Sequence, residues 1–348
     1  VAGQVVDLYL NQEGTFNEWQ TFLQSLGISN FSTTETSVID ETVGIFDGDR
    51  LVATGSVSNN VLKYIGVCNQ NQTQGTYFNM IVTELLARLA QRGIFHVFVF
   101  TKPQYSQSFQ HLGFSELAQS ADGALLETGD VTIQTYLDTI PQLPGQSIAG
   151  IVMNANPFTR GHRYLVERAA EEADAVYVFV VNTDSSLFTT EERVGLVTAG
   201  LADLNNVLVV SGGDYMVSYA TFPAYFLTSP EKEITYQTTL DARIFKNWVA
   251  KERHITTRYV GSEPRSRTTA IYNSVLQREL PPEVAVKVIE RRSANHDVIS
   301  ARTVREMIAA DDLTHLAVLV PDTTAKYIQE HLTDLQKRIK KGMKIDGN

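Results

Sequence analysis

Cysteine is nearly absent from this chain of 348 residues: Cys68 is the only one, so no disulfide can form within it. A single thiol fits a reducing cytoplasm. Cys68 falls at a predicted strand end with no electropositive surroundings, which argues against a thiolate nucleophile. Long apolar runs are missing as well. The longest have the length of a strand, well short of the roughly 20 residues that cross a bilayer, so neither a spanning segment nor a signal peptide is read. The chain opens on Val1 instead of methionine, and an N-terminal trim or a processed methionine is expected. Positive charge is in deficit: Lys and Arg number 29 against 39 Asp and Glu, a formal net charge of −10. That balance excludes a general nucleic-acid binder. His254, His296 and His315 lack metal-ligand spacing and read as loop or surface residues, so no protein-held metal is expected. No internal repeat or low-complexity tract is present.

What is there is a full core. Hydrophobic residues make up 43% of the chain, and its length suggests two or three domains. From Ser147 onward apolar strand-length runs alternate with amphipathic stretches. Strands are expected at Ile148–Met153, Ala175–Val181, Val207–Val210, Thr257–Val260 and Val284–Ile289. Helices are expected near Gly161–Glu172, Glu191–Leu201, Leu240–Lys251, Ala270–Glu279 and Ala301–Ala309. This alternation predicts an α/β domain over residues 147–348, a Rossmann-like parallel sheet covered on both faces. The basic stretch Lys337 to Lys344 reads as a frayed helix end.

Residues 1–130 have a different pattern. A helix over Phe16–Leu26 precedes a hairpin from Val38 to Val57 with its turn at Asp47-Gly48-Asp49-Arg50. A strand over Val61–Val67 follows. A periodic helix over Phe78–Arg92 buries Ile81, Leu85, Leu86 and Leu89. A strand over Ile94–Thr101 and a short helix over Ser106–Leu112, closed by Gly113, complete the pattern. This order, with Phe109-Gln-His-Leu-Gly-Phe114, resembles a GNAT-type acetyltransferase fold, a smaller α+β domain. In that family an R/Q-x-x-G-x-G/A loop before the long helix holds the acyl-CoA pyrophosphate. Gln72 and Gly75 match it, while Tyr77 stands where a small residue is required. A scaffold or docking domain is therefore expected, not an independent acetyltransferase. Residues 131–146, with Pro141, Pro144 and Gly145, read as a linker.

The most informative stretch runs from Ile148 to Leu165. An apolar strand leads through a polar turn, Asn154-Ala-Asn-Pro-Phe-Thr-Arg160, into a helix opened by Gly161 and His162. A strand, a turn and a helix N-terminus bring unpaired amides and the positive end of a helix dipole to one place, which suits a phosphate. The spacing T-x-G-H adds the Thr159 hydroxyl and the His162 imidazole, and Gly161 lets the backbone come close to a ligand. Asn156 fits either an Asx turn before Pro157 or a nucleotide contact. Arg163, one position on, points to solvent or to the anion.

A second constellation, Ile299-Ser-Ala-Arg-Thr-Val-Arg305, follows about 140 residues later and opens another helix. Ser300 fits an N-cap, and Ser300 with Arg305 could also grip an oligophosphate. Late basic residues Arg265, Arg267, Arg291, Arg292, Arg302 and Arg305 suggest a small anionic ligand or a solvated face.

Together, T-x-G-H and I-S-x-x-x-x-R resemble the nucleotidyltransferase superfamily, and within it the citrate lyase ligase family. Three segments carry the closer resemblance: Asn154-Ala-Asn-Pro-Phe-Thr-Arg-Gly-His-Arg-Tyr-Leu165, Gly213-Asp-Tyr-Met-Val-Ser-Tyr-Ala-Thr-Phe-Pro-Ala-Tyr-Phe-Leu227 and Tyr259-Val-Gly-Ser-Glu-Pro264. The acetyltransferase-like first domain belongs to the same architecture. The chain departs from the superfamily at Ile299-Ser-Ala-Arg302, where I-S-S-T is usual. Arg265-Ser-Arg267 is more basic than expected.

The resemblance implies an ATP-dependent ligase. Acetate would be activated as acetyl-adenylate, and the acetyl group passed to the thiol of a dephospho-CoA-type prosthetic group on the acyl carrier subunit of citrate lyase. His162, Thr159 and Arg305 are the expected catalytic residues. Asn156, Gly161, Ser300, Gly261 and Glu263 are the expected nucleotide-binding residues. Mg²⁺ would be held mainly by the phosphates of ATP. Ser218, Thr221 and Phe222 either line an acetate or pantetheine pocket or pack, with Tyr225 and Phe226, in the core. Two other readings remain: a nucleotidyltransferase joining ATP to a phosphorylated small molecule, and a CoA-sensing or carrier-docking protein without catalysis.

Overall fold

The computed structural model describes residues 3–68, 74–182, 186–216, 230–262, 267–290, 293–294, 297–343 and 345. It divides into two compact units. Val1–Tyr136 and Phe222–Leu240 form one, and Leu137–Thr221 and Asp241–Asn348 form the other.

In the first unit the elements are β1 (Val5–Asp7), α1 (Glu13–Ser25), α2 (Thr33–Thr36), β2 (Glu41–Asp47), β3 (Arg50–Ser58), β4 (Val61–Val67), α3 (Gln74–Gln91), β5 (Val97–Thr101), α4 (Ser106–His111), β6 (Ser115–Gln119) and β7 (Ala124–Thr128). They build a sheet of order β1-β2-β3-β4-β5-β7-β6. Its pairs are antiparallel except β4 with β5, which run parallel and are joined through α3. One parallel step with a helical crossover in an antiparallel sheet is the acetyltransferase-type arrangement. α3 buries Phe78, Ile81, Val82, Leu85 and Leu89 on the sheet, and Leu86 is only half-buried.

The structure corrects the sequence reading at several points. α3 begins at Gln74, so Gly75 and Tyr77 lie in its first turns and not in a loop before it, and Gln72 is outside the described residues. Ile94 belongs to the turn after α3, its amide bonded to the Leu89 carbonyl, and the strand starts at Val97. Arg50 Nη2 donates to the Cys68 sulfur at 3.7 Å, so the thiol does have a cation beside it.

The stretch read as a linker holds the helix α5 (Ile133–Asp138), and the division between the units falls within it, after Tyr136. Ile133, Leu137 and Ile140 recur at helical spacing and are buried, which is why this stretch is not an open tether. β8 (Ile148–Met153), α6 (Arg160–Glu172), β9 (Ala175–Val180), α7 (Thr190–Gly200), β10 (Val207–Ser211), α8 (Pro230–Ile244), α9 (Lys251–Arg253), β11 (Thr257–Gly261), α10 (Arg267–Glu279), β12 (Ala285–Ile289), the small hairpin of β13 (Ser293–Ala294) and β14 (Asp297–Val298), α11 (Ala301–Ala310), α12 (Leu316–Leu319) and α13 (Asp322–Lys340) follow. The main sheet has the order β10-β9-β8-β11-β12, and its pairs are parallel.

The core beneath the sheet joins Ile151, Val166, Val178, Val197, Val304, Ile308, Ile328 and Leu335 from β8, α6, β9, α7, α11 and α13. The helix expected over Leu240–Lys251 is longer. α8 runs through a π-helical turn, Phe245–Ala250, into α9 and stops at His254, whose φ of 55° ends the helix. Lys337 to Lys340, the first part of the basic stretch, form the last turn of α13, the helix end expected there, and Lys344 lies outside the described residues. No helix among the described residues is long and apolar enough to cross a membrane.

Candidate nucleotide-binding site

The order β10-β9-β8-β11-β12 reverses direction at β8. The chain leaves β8 to build outward on one side and returns to build from β11 on the other. In an open parallel sheet the crevice beyond the strand ends at such a reversal is where ligands bind. T-x-G-H leaves β8 at that place.

Thr159 is the N-cap of α6, and its Oγ1 accepts from the His162 amide at 3.3 Å. His162 closes the cap in return: its Nδ1 accepts from the Thr159 amide at 3.1 Å and lies 2.9 Å from Thr159 Oγ1. This is a capping box with imidazole in the place usually taken by carboxylate. A ring nitrogen that accepts leaves the ring hydrogen of neutral imidazole on Nε2. The cap thus fixes both the ring and its donor atom. Phe158, fully buried, stacks on the same ring with centroids 5.9 Å apart and planes 13° from parallel.

Gly161 follows the cap. A Cβ there would meet Thr159 Oγ1 at 3.5 Å and Ile299 at 3.6 Å, ordinary contacts. The packing around this position therefore does not itself demand glycine. The same distances bring Ile299 and the start of α11 beside the start of α6. Ser300 is the N-cap of α11, its Oγ accepting from the Arg302 amide at 3.2 Å. Two helix N-termini therefore converge at the switch point.

Arg305 is buried. Its Nη1 donates to the Asn156 carbonyl at 2.5 Å and its Nε to the Ile345 carbonyl at 2.9 Å. Asn156 is also buried, and its side-chain oxygen accepts from the Phe188 amide at 3.1 Å. Both residues tie the turn after β8 to its surroundings. Arg163 turns away from the cap and pairs with Glu167 at 2.7 Å and Asp203 at 2.6 Å. Gly261 ends β11, and its carbonyl accepts from Asn273 Nδ2 at 3.1 Å. Arg302 is exposed and paired with Glu306 at 2.9 Å. Glu263, Ser218, Thr221, Phe222, Tyr225, Phe226, Arg265, Arg291, Arg292 and His296 lie outside the described residues.

One residue of the site's support escapes the sequence reading. Arg193 of α7 is fully buried and donates to the Asn154 carbonyl at 2.8 Å, the Asn154 side chain at 2.9 Å, the Val181 carbonyl at 2.6 Å and the Phe188 carbonyl at 3.1 Å. It fastens the β8 and β9 loops together. Its signal was its place three and four positions before Leu196 and Val197, on the apolar stripe of α7.

Among the described residues no group of three or more His, Cys, Asp or Glu stands together to hold a metal ion. The helix-start amides and the His162 imidazole lie at the switch point, with the buried Arg305 guanidinium behind the turn.

A parallel sheet of this order with two helix N-termini at its switch point defines an α/β nucleotidyltransferase-type domain, here following an acetyltransferase-like unit. The family described as citrate lyase ligase C-terminal domain matches residues 148–328. The chain is 36% identical over 308 residues to the citrate (pro-3S)-lyase ligase of Escherichia coli (strain K12), a match covering 84% of this chain and 87% of that one. It is 35% identical over 301 residues to the enzyme of the same name from Haemophilus influenzae, covering 83% and 88%. Pantoate-beta-alanine ligase from Francisella tularensis superposes with a TM-score of 0.35 at 15% identity, over 52% of this chain and 76% of that one. The chain belongs to the citrate lyase ligase family.

Proposed function

We propose that this chain activates acetate with ATP and acetylates the carrier thiol of citrate lyase. The observation that carries the reading is the convergence of two helix N-termini on His162 at the sheet's switch point, in a chain of this family. ATP lies with its phosphates against the α6 and α11 amides and Ser300. An acetate oxygen attacks the α-phosphorus in line. The bond from that phosphorus to the bridging oxygen breaks, pyrophosphate leaves, and acetyl-adenylate remains. Such a step needs positioning and neutralisation of growing negative charge more than it needs a protein nucleophile. His162 Nε2–H donates where that charge grows, and Thr159 holds the ring for it. Arg305 adds fixed positive charge behind the turn. Gly261 and Glu263 belong to the strand-end loop that would receive the nucleoside. The carrier thiol then attacks the acetyl carbon, a thioester forms, and AMP leaves.

Among the described residues no carboxylate cluster stands at this place, and Mg²⁺ is read as entering with the phosphates of ATP. With ATP and a carrier protein as substrates, the enzyme works in the cytoplasm. The first unit, acetyltransferase-like in fold, is read as the place that receives the carrier's prosthetic arm.

ATP–pyrophosphate exchange with purified protein and Mg²⁺ tests the reading. Exchange that depends on acetate supports it. Pyrophosphate release that ignores acetate and requires a phosphopantetheine or mononucleotide acceptor overturns it in favour of a biosynthetic nucleotidyltransferase. No turnover with acetate, ATP and the carrier protein together leaves only a binding role.

A further inference from the structure

Successive side chains of β11 point to opposite faces. Tyr259 enters the core shared with α6 and bonds Glu172 at 2.9 Å. Arg258, beside it, turns to the other face, where it is 1% exposed. Its register partner on β8 is Gly150. A Cβ on Gly150 would come within 2.9 Å of the Phe245 ring, so glycine makes room for that ring. The Arg258 guanidinium lies over Phe245, 4.3 Å from the centroid. Its Nη2 donates to the Tyr272 hydroxyl at 3.0 Å, and that hydroxyl donates to Asp241 Oδ2 at 3.4 Å. Arg258 and Asp241 are thus linked through Tyr272. Asp241 is itself buried, and burial lifts its carboxyl to about 6 against the pull of Arg258. Arg258 Nε and Nη1 have no hydrogen-bond partner among the described residues.

A buried cation with unused donors is costly, because those N–H groups have lost water without replacement. The residues around it are arranged to hold the guanidinium in place, not to saturate it. Phe245 opens the π-helical turn that interrupts α8 and α9, an irregularity that recurs at functional sites. β11, which carries Arg258, is the strand paired with β8 at the switch point. A small carboxylate is what such a guanidinium is short of, and a planar carboxylate matches its donors.

We propose that Arg258, seated on Phe245 and held by Tyr272, is the residue that binds the carboxylate of the acid substrate. This rests on the reading of the chain as a carboxylate-activating ligase. The unpartnered Nε and Nη1 of Arg258 are the donors that would pair with the acetate carboxylate and neutralise its charge.

The test compares wild type, Arg258→Lys, Arg258→Gln and Tyr272→Phe by acetate-dependent ATP–pyrophosphate exchange, with thermal unfolding of each. Loss of a charge-assisted pair raises the KM for acetate by roughly 10- to 100-fold in the Arg258 variants, with the KM for ATP little changed. Tyr272→Phe, which keeps the cation and frees one donor, gives a smaller rise in the same constant. If the variants unfold cooperatively and their acetate KM equals that of wild type, the inference is wrong. Parallel rises in the KM for acetate and ATP would also overturn it, since they indicate a structural role. Should the Arg258 variants fail to fold, Tyr272→Phe alone decides by the same split. Wild-type exchange that does not respond to acetate would instead refute the ligase reading itself, so the two failures are separable.

Discussion

His162 is positioned by its own helix cap, so its chemistry and its structural role can be separated by substitution. The Nδ1 side of the ring serves the cap, accepting from the Thr159 amide at 3.1 Å. The Nε2 side carries the hydrogen that a growing oxyanion would receive. His162→Ala therefore removes a cap partner, worth on the order of 1 kcal/mol, and a transition-state donor, worth about two powers of ten in turnover. The expected outcome is a cooperatively folded variant with turnover at least about 100-fold lower, read by steady-state kinetics beside thermal unfolding. A loss of only a few-fold would remove His162 from the chemistry and leave it as a cap. Asn156 and Arg305 present the opposite case. The sequence offers both as nucleotide contacts, and the structure uses an Asn156 oxygen to receive the Phe188 amide and Arg305 to brace the Asn156 carbonyl. Sequence alone could not tell these uses apart, because an arginine at the fifth position of a helix carries no mark of burial.

Among the elements, α7 and α13 are joined by one ion pair that titrates. Glu192 stands at N3 of α7, where it completes the Thr189 capping box. Arg338 of α13 reaches both of its oxygens at 2.7 Å and also donates to the Leu187 carbonyl at 3.1 Å. Burial pushes the Glu192 carboxyl up, but the Arg338 guanidinium and the Thr189 amide pull harder, and it falls to about 2. A carboxyl whose folded value lies below its unfolded value adds stability above the unfolded value, and loses it as pH falls through the folded one. Glu192→Gln should cost roughly 2 kcal/mol at neutral pH, and the difference from wild type should narrow below about 4.5 and close near 2. Urea unfolding across that range checks it, and a gap independent of pH would count against the pair. Legibility also differs by element. β8 and β9 are central strands buried on both faces, so each is a continuous apolar run that the sequence displays almost residue for residue. β1 is a three-residue edge strand and too short to show a period. α13 repeats Ile328, Leu332, Leu335 and Ile339 at helical spacing, yet its charged surface residues hide that stripe in a linear reading. The site's motifs were legible because strand, turn and helix are contiguous there. Arg258 was not, since only the packing of distant elements buries it, and Arg193 showed only in its place on the apolar stripe of α7.

At the scale of the whole chain the two steps of the proposed reaction make different demands. Adenylation needs the switch point, two helix N-termini and a core to hold them, all within the second unit. Transfer needs a long prosthetic arm to deliver its thiol to the adenylate. The first unit has its own sheet and its own core, built on residues such as Val43, Val57, Leu85 and Leu126, so each step can be assigned to a separate body. Chain order does not separate them cleanly. Phe222–Leu240 groups with the first unit although it falls between β10 and β11 of the second, and Tyr236 within it is buried, its ring 2.5 Å from where a Cβ on Gly123 would stand. Removing residues 1–136 should therefore strip the cover from Tyr236 and lower the unfolding temperature, while leaving the parallel sheet and its helices as a cooperative unit. Such a truncated chain is expected to keep acetate-dependent ATP–pyrophosphate exchange and to lose acetylation of the carrier thiol, followed by mass spectrometry of the carrier. If a cooperatively folded truncation still acetylates the carrier at the wild-type rate, the first unit does not handle the arm. If it folds but no longer exchanges, the adenylate site draws on the first unit, and the division of labour proposed here is wrong at its root.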